Sequence, residues 1–177
     1  MVKQSLTSAR DMRANFKMFL KMKTDEEKQR PGAKTEGGEP QMSGAVQSAY
    51  VRLVEQLAGI NQLLEERGSR YLLGDCMTEY DCELMPRLHH IRVAGVQLGG
   101  LELIPHRFSH LWNYILTAYR TAAFIESCPA DQDIIHHYKD QLQIVSKQRE
   151  TLQTPTKTHT IPDDVLQVIQ STGLDKL

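Results

Sequence analysis

Cysteines, aromatic residues and long apolar runs are all scarce in this chain of 177 residues. The three cysteines are too few and too unevenly spaced for a disulfide framework, so a reducing, cytoplasmic setting is favoured. No window approaches the roughly 18 uncharged apolar residues that a membrane-spanning helix needs. The first residues also lack the apolar core of a signal peptide. The sequence as given is therefore expected to be soluble.

The charges show no excess of one sign. The chain carries 21 basic and 22 acidic side chains and a formal net charge of −1, so nothing in this balance indicates a nucleic-acid partner. Glycine-rich phosphate loops, Gly-x-Ser-x-Gly and His-Glu-x-x-His are also missing from the sequence. We therefore predict no catalytic, cofactor-binding or metal-binding residue.

Apolar residues recur every three or four positions along most of the chain, which predicts helices. Sustained strand alternation and internal repeats are lacking, so the prediction is an all-α helical bundle over residues 1–160. The charged segment 24–44, rich in Gly and Pro, is predicted to be a mobile loop. Residues 161–177 are predicted to be a C-terminal tail with a short helix. The predicted helices span residues 5–23, about 46–67, about 78–95, from about 104 to 119, 122–127, 130–148 and 162–169.

The segment Tyr71–His90 contains the residue types that carry chemistry, and its first motif is structural. Thr78 and Asp81 form a Thr-x-x-Asp pattern before an apolar run, which predicts a helix capping box. A catalytic role for Asp81 would need a second titratable group fixed nearby, and the sequence identifies none. Pro86 lies inside the same helix and predicts a bend, because proline removes one backbone hydrogen bond.

The cysteines and histidines each leave two interpretations open. Cys76 and Cys82 are expected to be small buried hydrophobes, and Cys128, beside Pro129, a more exposed thiol with reactivity as the alternative. His106 and His110 have the spacing of two metal ligands on one helical face, but no third or fourth ligand stands at a recognised offset. Solvated or singly bonded histidines are the favoured interpretation.

The first predicted helix is both basic and amphipathic. Residues 5–23 place Phe16, Phe19 and Leu20 on one side and Lys and Arg side chains on the other. Such a helix can lie on an anionic membrane. The alternative, which we favour, is that its apolar side packs into its own bundle.

Two longer stretches resemble the chloride intracellular channel (CLIC) family, most closely its invertebrate, nematode-type branch. The first, YLLGDCMTEYDCELMPRLHHIRV, is similar to the pattern around the family's sixth helix. The second, IPHRFSHLWNYILTAYRTAAFIESCPADQDI, is similar to its Trp-x-Tyr and Cys-Pro-x-Asp signature. The signature positions are Gly74, Cys82, Leu88, His89, Trp112, Tyr119, Cys128, Pro129 and Asp131.

The resemblance implies a helical bundle like the C-terminal domain of glutathione S-transferases, and only that domain. The family's N-terminal thioredoxin-like domain, with its glutathione site and proposed membrane-insertion segment, is expected to be absent. The implied function is a CLIC-type role in chloride channel activity and in membrane or tubule organisation, here through protein partners. The alternative is a glutathione-dependent oxidoreductase or transferase. The implied location is the cytoplasm, with membrane association as in the family.

Overall fold

The computed structural model describes residues 2–29, 42–144 and 156–176, with side chains from Asp11 onward in the first range. These ranges contain helices and no β-strand, which confirms the all-α prediction; one isolated bridge pairs Tyr71 with Gly74. In chain order the helices are α1 (Val2–Gln29), α2 (Gly44–Arg67), α3 (Glu79–Gly99), α4 (Ser109–Tyr119), α5 (Ala122–Ser127), α6 (Asp131–Gln141) and α7 (Asp163–Thr172), followed by a 3-10 turn at Leu174–Lys176.

The helices share one apolar core. α1 packs against α2 and α3, α2 also packs against α4, and α3 packs against α6. Every residue of α4 from Leu111 to Tyr119 is buried, so this helix lies inside the bundle, and its buried Asn113 and Thr117 side chains donate hydrogen bonds to backbone carbonyls. The largest fully buried side chains are Met12, Phe16, Phe19, Leu20, Leu53, Leu57, Leu84, Leu88, Ile91, Leu103, Trp112 and Tyr114.

Capping residues fix both ends of α2. Ser43 is the N-cap, and its hydroxyl accepts a hydrogen bond from the Val46 N–H at 3.5 Å. Gly68 follows the last turn with φ 56°, a left-handed conformation that glycine adopts at little cost. The predicted end of this helix at Gly68 is confirmed.

The predicted loop over residues 24–44 begins too early. α1 continues to Gln29, because the segment from Thr24 to Gln29 contains no Gly or Pro and its first residue is buried on the core side of the helix. Glu26 also accepts a hydrogen bond from the Ser43 N–H at 3.0 Å, which joins the end of α1 to the start of α2. Residues 30–41 of the predicted loop lie outside the described residues.

Three other boundaries differ from the prediction by about four residues or more. α3 continues to Gly99 instead of ending near residue 95, and α4 begins at Ser109 instead of near residue 104. α6 ends at Gln141 instead of near residue 148, and Gln143 has φ 52°, which no helical residue adopts. Apolar spacing alone did not reveal this local end.

The predicted C-terminal tail is part of the bundle. α7 packs against α4, and its Val165 and Ile169 side chains are buried. Within the described ranges, no helix has both the length and the apolar content that crossing a lipid bilayer requires.

Candidate functional site

One carboxylate joins α3 to the segment before it and to α4. The Asp81 side chain is fully buried, and its Oδ1 accepts hydrogen bonds from the Leu72 N–H at 3.0 Å and the Tyr114 hydroxyl at 2.8 Å. Its Oδ2 accepts from the Thr78 N–H at 2.8 Å and the Thr78 hydroxyl at 2.7 Å. Thr78 is the N-cap of α3, and the two residues form the capping box expected from the sequence.

These contacts give Asp81 a structural role. Four donors occupy its two oxygens, so the carboxylate is held in one place by groups from three parts of the chain. Burial, followed by the charge of Asp81, raises the pKa of Tyr114 well above its ordinary value. Tyr114 therefore remains a protonated donor.

A glycine turn places the Leu72 N–H beside this carboxylate. The Tyr71 N–H donates to the Gly74 carbonyl at 2.9 Å, and the Gly74 N–H donates back at 3.4 Å. Gly74 has φ 137°, a conformation in which a side chain would be strained. The glycine at this signature position therefore serves the turn.

A second group of buried polar side chains lies in the later part of α3. The hydroxyl of Tyr119 on α4 is 2.9 Å from Nδ1 of His89 and accepts a hydrogen bond from Arg92 at 2.7 Å. Arg92 also donates to the Thr160 carbonyl at 2.8 Å. We call His89, Arg92 and Tyr119 the α3–α4 polar cluster. It joins the two central helices to the segment that precedes α7.

The charge of Arg92 is compensated inside the protein. Its guanidinium carbon lies 4.8 Å from the centroid of the Trp112 ring, and its Nε is 3.7 Å from a carboxylate oxygen of Glu102. Burial raises the pKa of Glu102, while Arg92 opposes this effect. Separating the Arg92 cation from these partners would leave a buried charge without solvation. The cation therefore stabilises the packing of α3 against α4.

His89 is a neutral imidazole with one unused ring nitrogen. Burial lowers its pKa from 6.5 to about 4, although Asp131 acts in the opposite direction. Its Nε2 has no hydrogen-bond partner and lies 3.8 Å from Oδ1 of Asp131. Cys128 and His159 adjoin the same ring, and one ligand atom from each of the three residues lies within 4.8 Å of the others. These three residues are therefore the candidate metal-binding group of the described chain.

A surface groove of about 260 Å³ lies on the other side of α3. Its floor is apolar, and the basic side chain of Arg13 lines it. Burial lowers the pKa of His90 in this groove to about 4, so that this histidine is neutral near pH 7. The complete lining is Arg13, Phe16, Pro86, Arg87, His90, Ile91, His137 and Tyr138.

The structure reverses the expectations for all three cysteines. Cys76, before α3, and Cys82, in its first turn, are exposed to solvent, so neither is the buried hydrophobe that was predicted. Cys128 is buried instead of exposed, and burial raises the pKa of its thiol. A raised pKa lowers the thiolate fraction near pH 7 and disfavours a reactive cysteine.

His106 and His110 do not share a helical face, because His106 lies in the turn before α4 and His110 lies in the first turn of that helix. Nδ1 of His106 lies 2.7 Å from a carboxylate oxygen of Asp164, so this histidine is paired with α7. His106 and His110 are both absent from the candidate group identified by geometry. Their i, i+4 spacing predicts a shared face only inside a helix, and α4 begins after His106.

The remaining signature residues lie at separate places in the bundle. Leu88 and Trp112 are fully buried, whereas Pro129 is exposed. Asp131 begins α6, and its carboxylate accepts hydrogen bonds from the Thr158 N–H at 3.1 Å. Pro86 lies within α3, where it cannot donate to the Cys82 carbonyl.

Sequence reasoning missed Arg92, Glu102 and His159. Arg92 is buried, and its partners make it central to the α3–α4 polar cluster. Its contact with Thr160 spans 68 positions of sequence. Nothing in local spacing signals such a contact.

The fold of this helical bundle is also found in a solved structure. A crystal structure of the CLIC homologue EXC-4 from Caenorhabditis elegans matches the chain with a TM-score of 0.86 and 56% sequence identity. The match covers 97% of this chain and 61% of that chain. The fold is therefore the all-helical, glutathione S-transferase-like domain of CLIC proteins.

Sequence comparison leads to the same family. The chain is 61% identical over 160 residues to chloride intracellular channel exc-4 of Caenorhabditis elegans, covering 90% of this chain and 54% of the relative. It is 50% identical over 113 residues to chloride intracellular channel Clic of Drosophila melanogaster, covering 64% of this chain and 43% of the relative. No protein-family model matches. The chain belongs to the chloride intracellular channel family and spans about half the length of these relatives.

Proposed function

We propose that the chain serves a chloride-channel-related function and contributes to it as a folded helical domain that binds other proteins. The observation that carries this proposal is the identity of 61% over 160 residues to a chloride intracellular channel. Because the chain spans 54% of that relative, we propose channel activity and membrane or tubule organisation for the chain together with its protein partners.

The packing of α1 favours protein contacts over direct membrane contact. Met12, Phe16, Phe19 and Leu20 are at most 1% exposed, because they face α2 and α3. A helix that lies on a membrane must present such side chains to lipid. Membrane contact through residues 5–23 would therefore require α1 to leave the bundle.

The groove beside α3 is a suitable place for a protein contact. It combines the apolar ring of the exposed Pro86 with the positive charge of Arg13. An apolar side chain flanked by a carboxylate would complement this combination. We therefore propose a protein segment of that chemistry as the partner.

A glutathione-dependent enzyme is the less favoured function. The relatives described above are named as chloride intracellular channels, and those names specify no enzymatic activity. Glutathione could serve as a cofactor only if the chain acted together with the family's N-terminal thioredoxin-like domain, which is expected to contain the glutathione site. We also propose a cytoplasmic location, which three free cysteines support.

A chimera tests the proposed function. The matched region of the Caenorhabditis elegans relative is replaced by the 160 matched residues of this chain, and chloride efflux from liposomes is measured. We expect the chimera to retain the efflux of the parent, because the replaced region has the same fold. A chimera with native far-UV circular dichroism but no efflux, beside an active parent, would contradict the proposal.

Arg13→Glu within the chimera separates the groove from the fold. Arg13 is exposed, so its replacement should leave the unfolding temperature nearly unchanged. If the groove binds an acidic partner segment, the charge reversal should reduce the chimera's contribution to membrane or tubule organisation in cells. Chloride efflux from liposomes should be retained. Lys21→Glu, a charge reversal at an exposed position of the same helix outside this groove, is the matched control.

A further inference from the structure

The structure assigns a zinc site to His89, Cys128 and His159, with Asp131 as the fourth ligand. These residues come from α3, from the junction between α5 and α6, from the segment before α7 and from the start of α6. The proposal is independent of the chloride-related function, because it rests on the local geometry of these side chains.

The ligand types and their separations suit zinc. One nitrogen of each histidine and the Cys128 sulfur lie within 4.8 Å of one another. In a tetrahedral zinc site such atoms are about 3.3–3.5 Å apart, given Zn–N near 2.0 Å and Zn–S near 2.3 Å. Side-chain movements of about 1 Å would therefore close the site. Partly buried His159, which lies outside the helices, can make such a movement.

Unused polar atoms independently indicate a ligand. His89 is only 1% exposed, yet its Nε2 has no hydrogen-bond partner, and the same is true of the buried Nε2 of His159. Buried polar atoms normally find a partner, since leaving one without costs about 1–3 kcal/mol. Two such nitrogens beside one thiol would both be satisfied by a single metal ion.

The surroundings of His89 fix it in the form that a metal requires. With the proton on Nδ1, that nitrogen donates to the Tyr119 hydroxyl oxygen at 2.9 Å, and Nε2 keeps its lone pair for the metal. Arg92 donates to the same hydroxyl and holds it in place. Tyr119 and Arg92, the other two members of the α3–α4 polar cluster, therefore hold the ligand His89 in place.

The remaining ligands supply negative charge. Oδ1 of Asp131 is 3.8 Å from Nε2 of His89, close enough to complete a four-coordinate site. Binding zinc would release the Cys128 thiol proton to solvent and leave a thiolate. Two histidines with one thiolate and one carboxylate neutralise the ion, which favours Zn²⁺ in a partly buried position.

Cobalt(II) titration of the purified, metal-free full chain tests the site, since Co²⁺ replaces zinc and reports thiolate ligation by its charge-transfer absorption. We expect one equivalent to bind with this absorption, and Zn²⁺ to displace it and raise the unfolding temperature. Cys128→Ser should remove the absorption and weaken binding at least about tenfold. The matched control, Cys76→Ser with Cys82→Ser, changes two exposed thiols and should bind like the unaltered chain.

His159→Ala keeps the test decisive if Cys128→Ser fails to fold. His159 is partly exposed and lies outside the helices, so its replacement should preserve the far-UV circular dichroism while weakening Co²⁺ binding at least about tenfold. His136→Ala, at an exposed position of α6, should have no effect on binding. The proposal is overturned if the folded, unaltered chain shows no thiolate absorption, or if that absorption disappears in the Cys76 and Cys82 double variant.

Discussion

Replacing Asp81 by alanine is expected to lower the free energy of unfolding by about 3–5 kcal/mol. The change removes the acceptor for the Leu72 N–H, the Thr78 N–H and the Tyr114 hydroxyl. A buried donor left without its partner costs about 1–3 kcal/mol, and two of these donors are in buried hydrogen bonds. The expected loss is a large part of the 5–15 kcal/mol that typically stabilises a domain. Urea unfolding followed by far-UV circular dichroism measures it.

Two variants make the Asp81 result specific. Asp75→Ala removes an exposed carboxylate from the same segment and should change the free energy of unfolding by less than about 0.5 kcal/mol. Tyr114→Phe removes one donor together with its need for a partner, so about 1 kcal/mol is expected. Equal, small effects of Asp81→Ala and Asp75→Ala would show that the buried carboxylate does not hold α3 in place.

Trp112→Ala is expected to cost about 3–5 kcal/mol through a different mechanism, the loss of core packing. Trp112 is fully buried in α4, and its indole N–H donates to the Pro105 carbonyl at 3.1 Å. Its ring also lies under the Arg92 guanidinium, so alanine would leave a cavity beside a buried cation. This substitution should therefore destabilise the core and loosen the α3–α4 polar cluster together.

The Trp112 measurement needs a probe other than fluorescence, because the chain has one tryptophan. Far-UV circular dichroism in urea is suitable for every variant. Val96→Ala serves as the control, since Val96 is 46% exposed on α3 and should lose less than about 0.5 kcal/mol. A loss below 1 kcal/mol for Trp112→Ala would show that α4 is less tightly packed than its burial indicates.

Much of the fold follows from local sequence. Thr78 and Asp81 are three residues apart, and both partners of the capping box are visible in one helical turn. The stretch 122–127 was also assigned as a helix with the bounds that the structure shows, because Cys128-Pro129 ends it. Such features depend on neighbours within a few positions, and a single sequence contains them.

The candidate site depends on contacts that local sequence does not contain. His89, Cys128 and His159 are separated by 39 and 31 positions, and only the packing of α3 against α6 and the position of the segment before α7 bring them together. The wrong expectations for Cys82 and Cys128 have the same origin. Each cysteine's exposure is decided by which neighbouring helix covers it, and the residues beside it in sequence do not specify that neighbour.

Sedimentation with anionic vesicles tests most directly the central claim that this chain works as a folded bundle through protein contacts. The purified chain is mixed with chloride-loaded vesicles, and bound protein and chloride release are measured in the same sample. Because the apolar face of α1 is buried against α2 and α3, we predict that the chain stays in the supernatant and releases no chloride. Co-sedimentation of the chain together with chloride release would contradict the account.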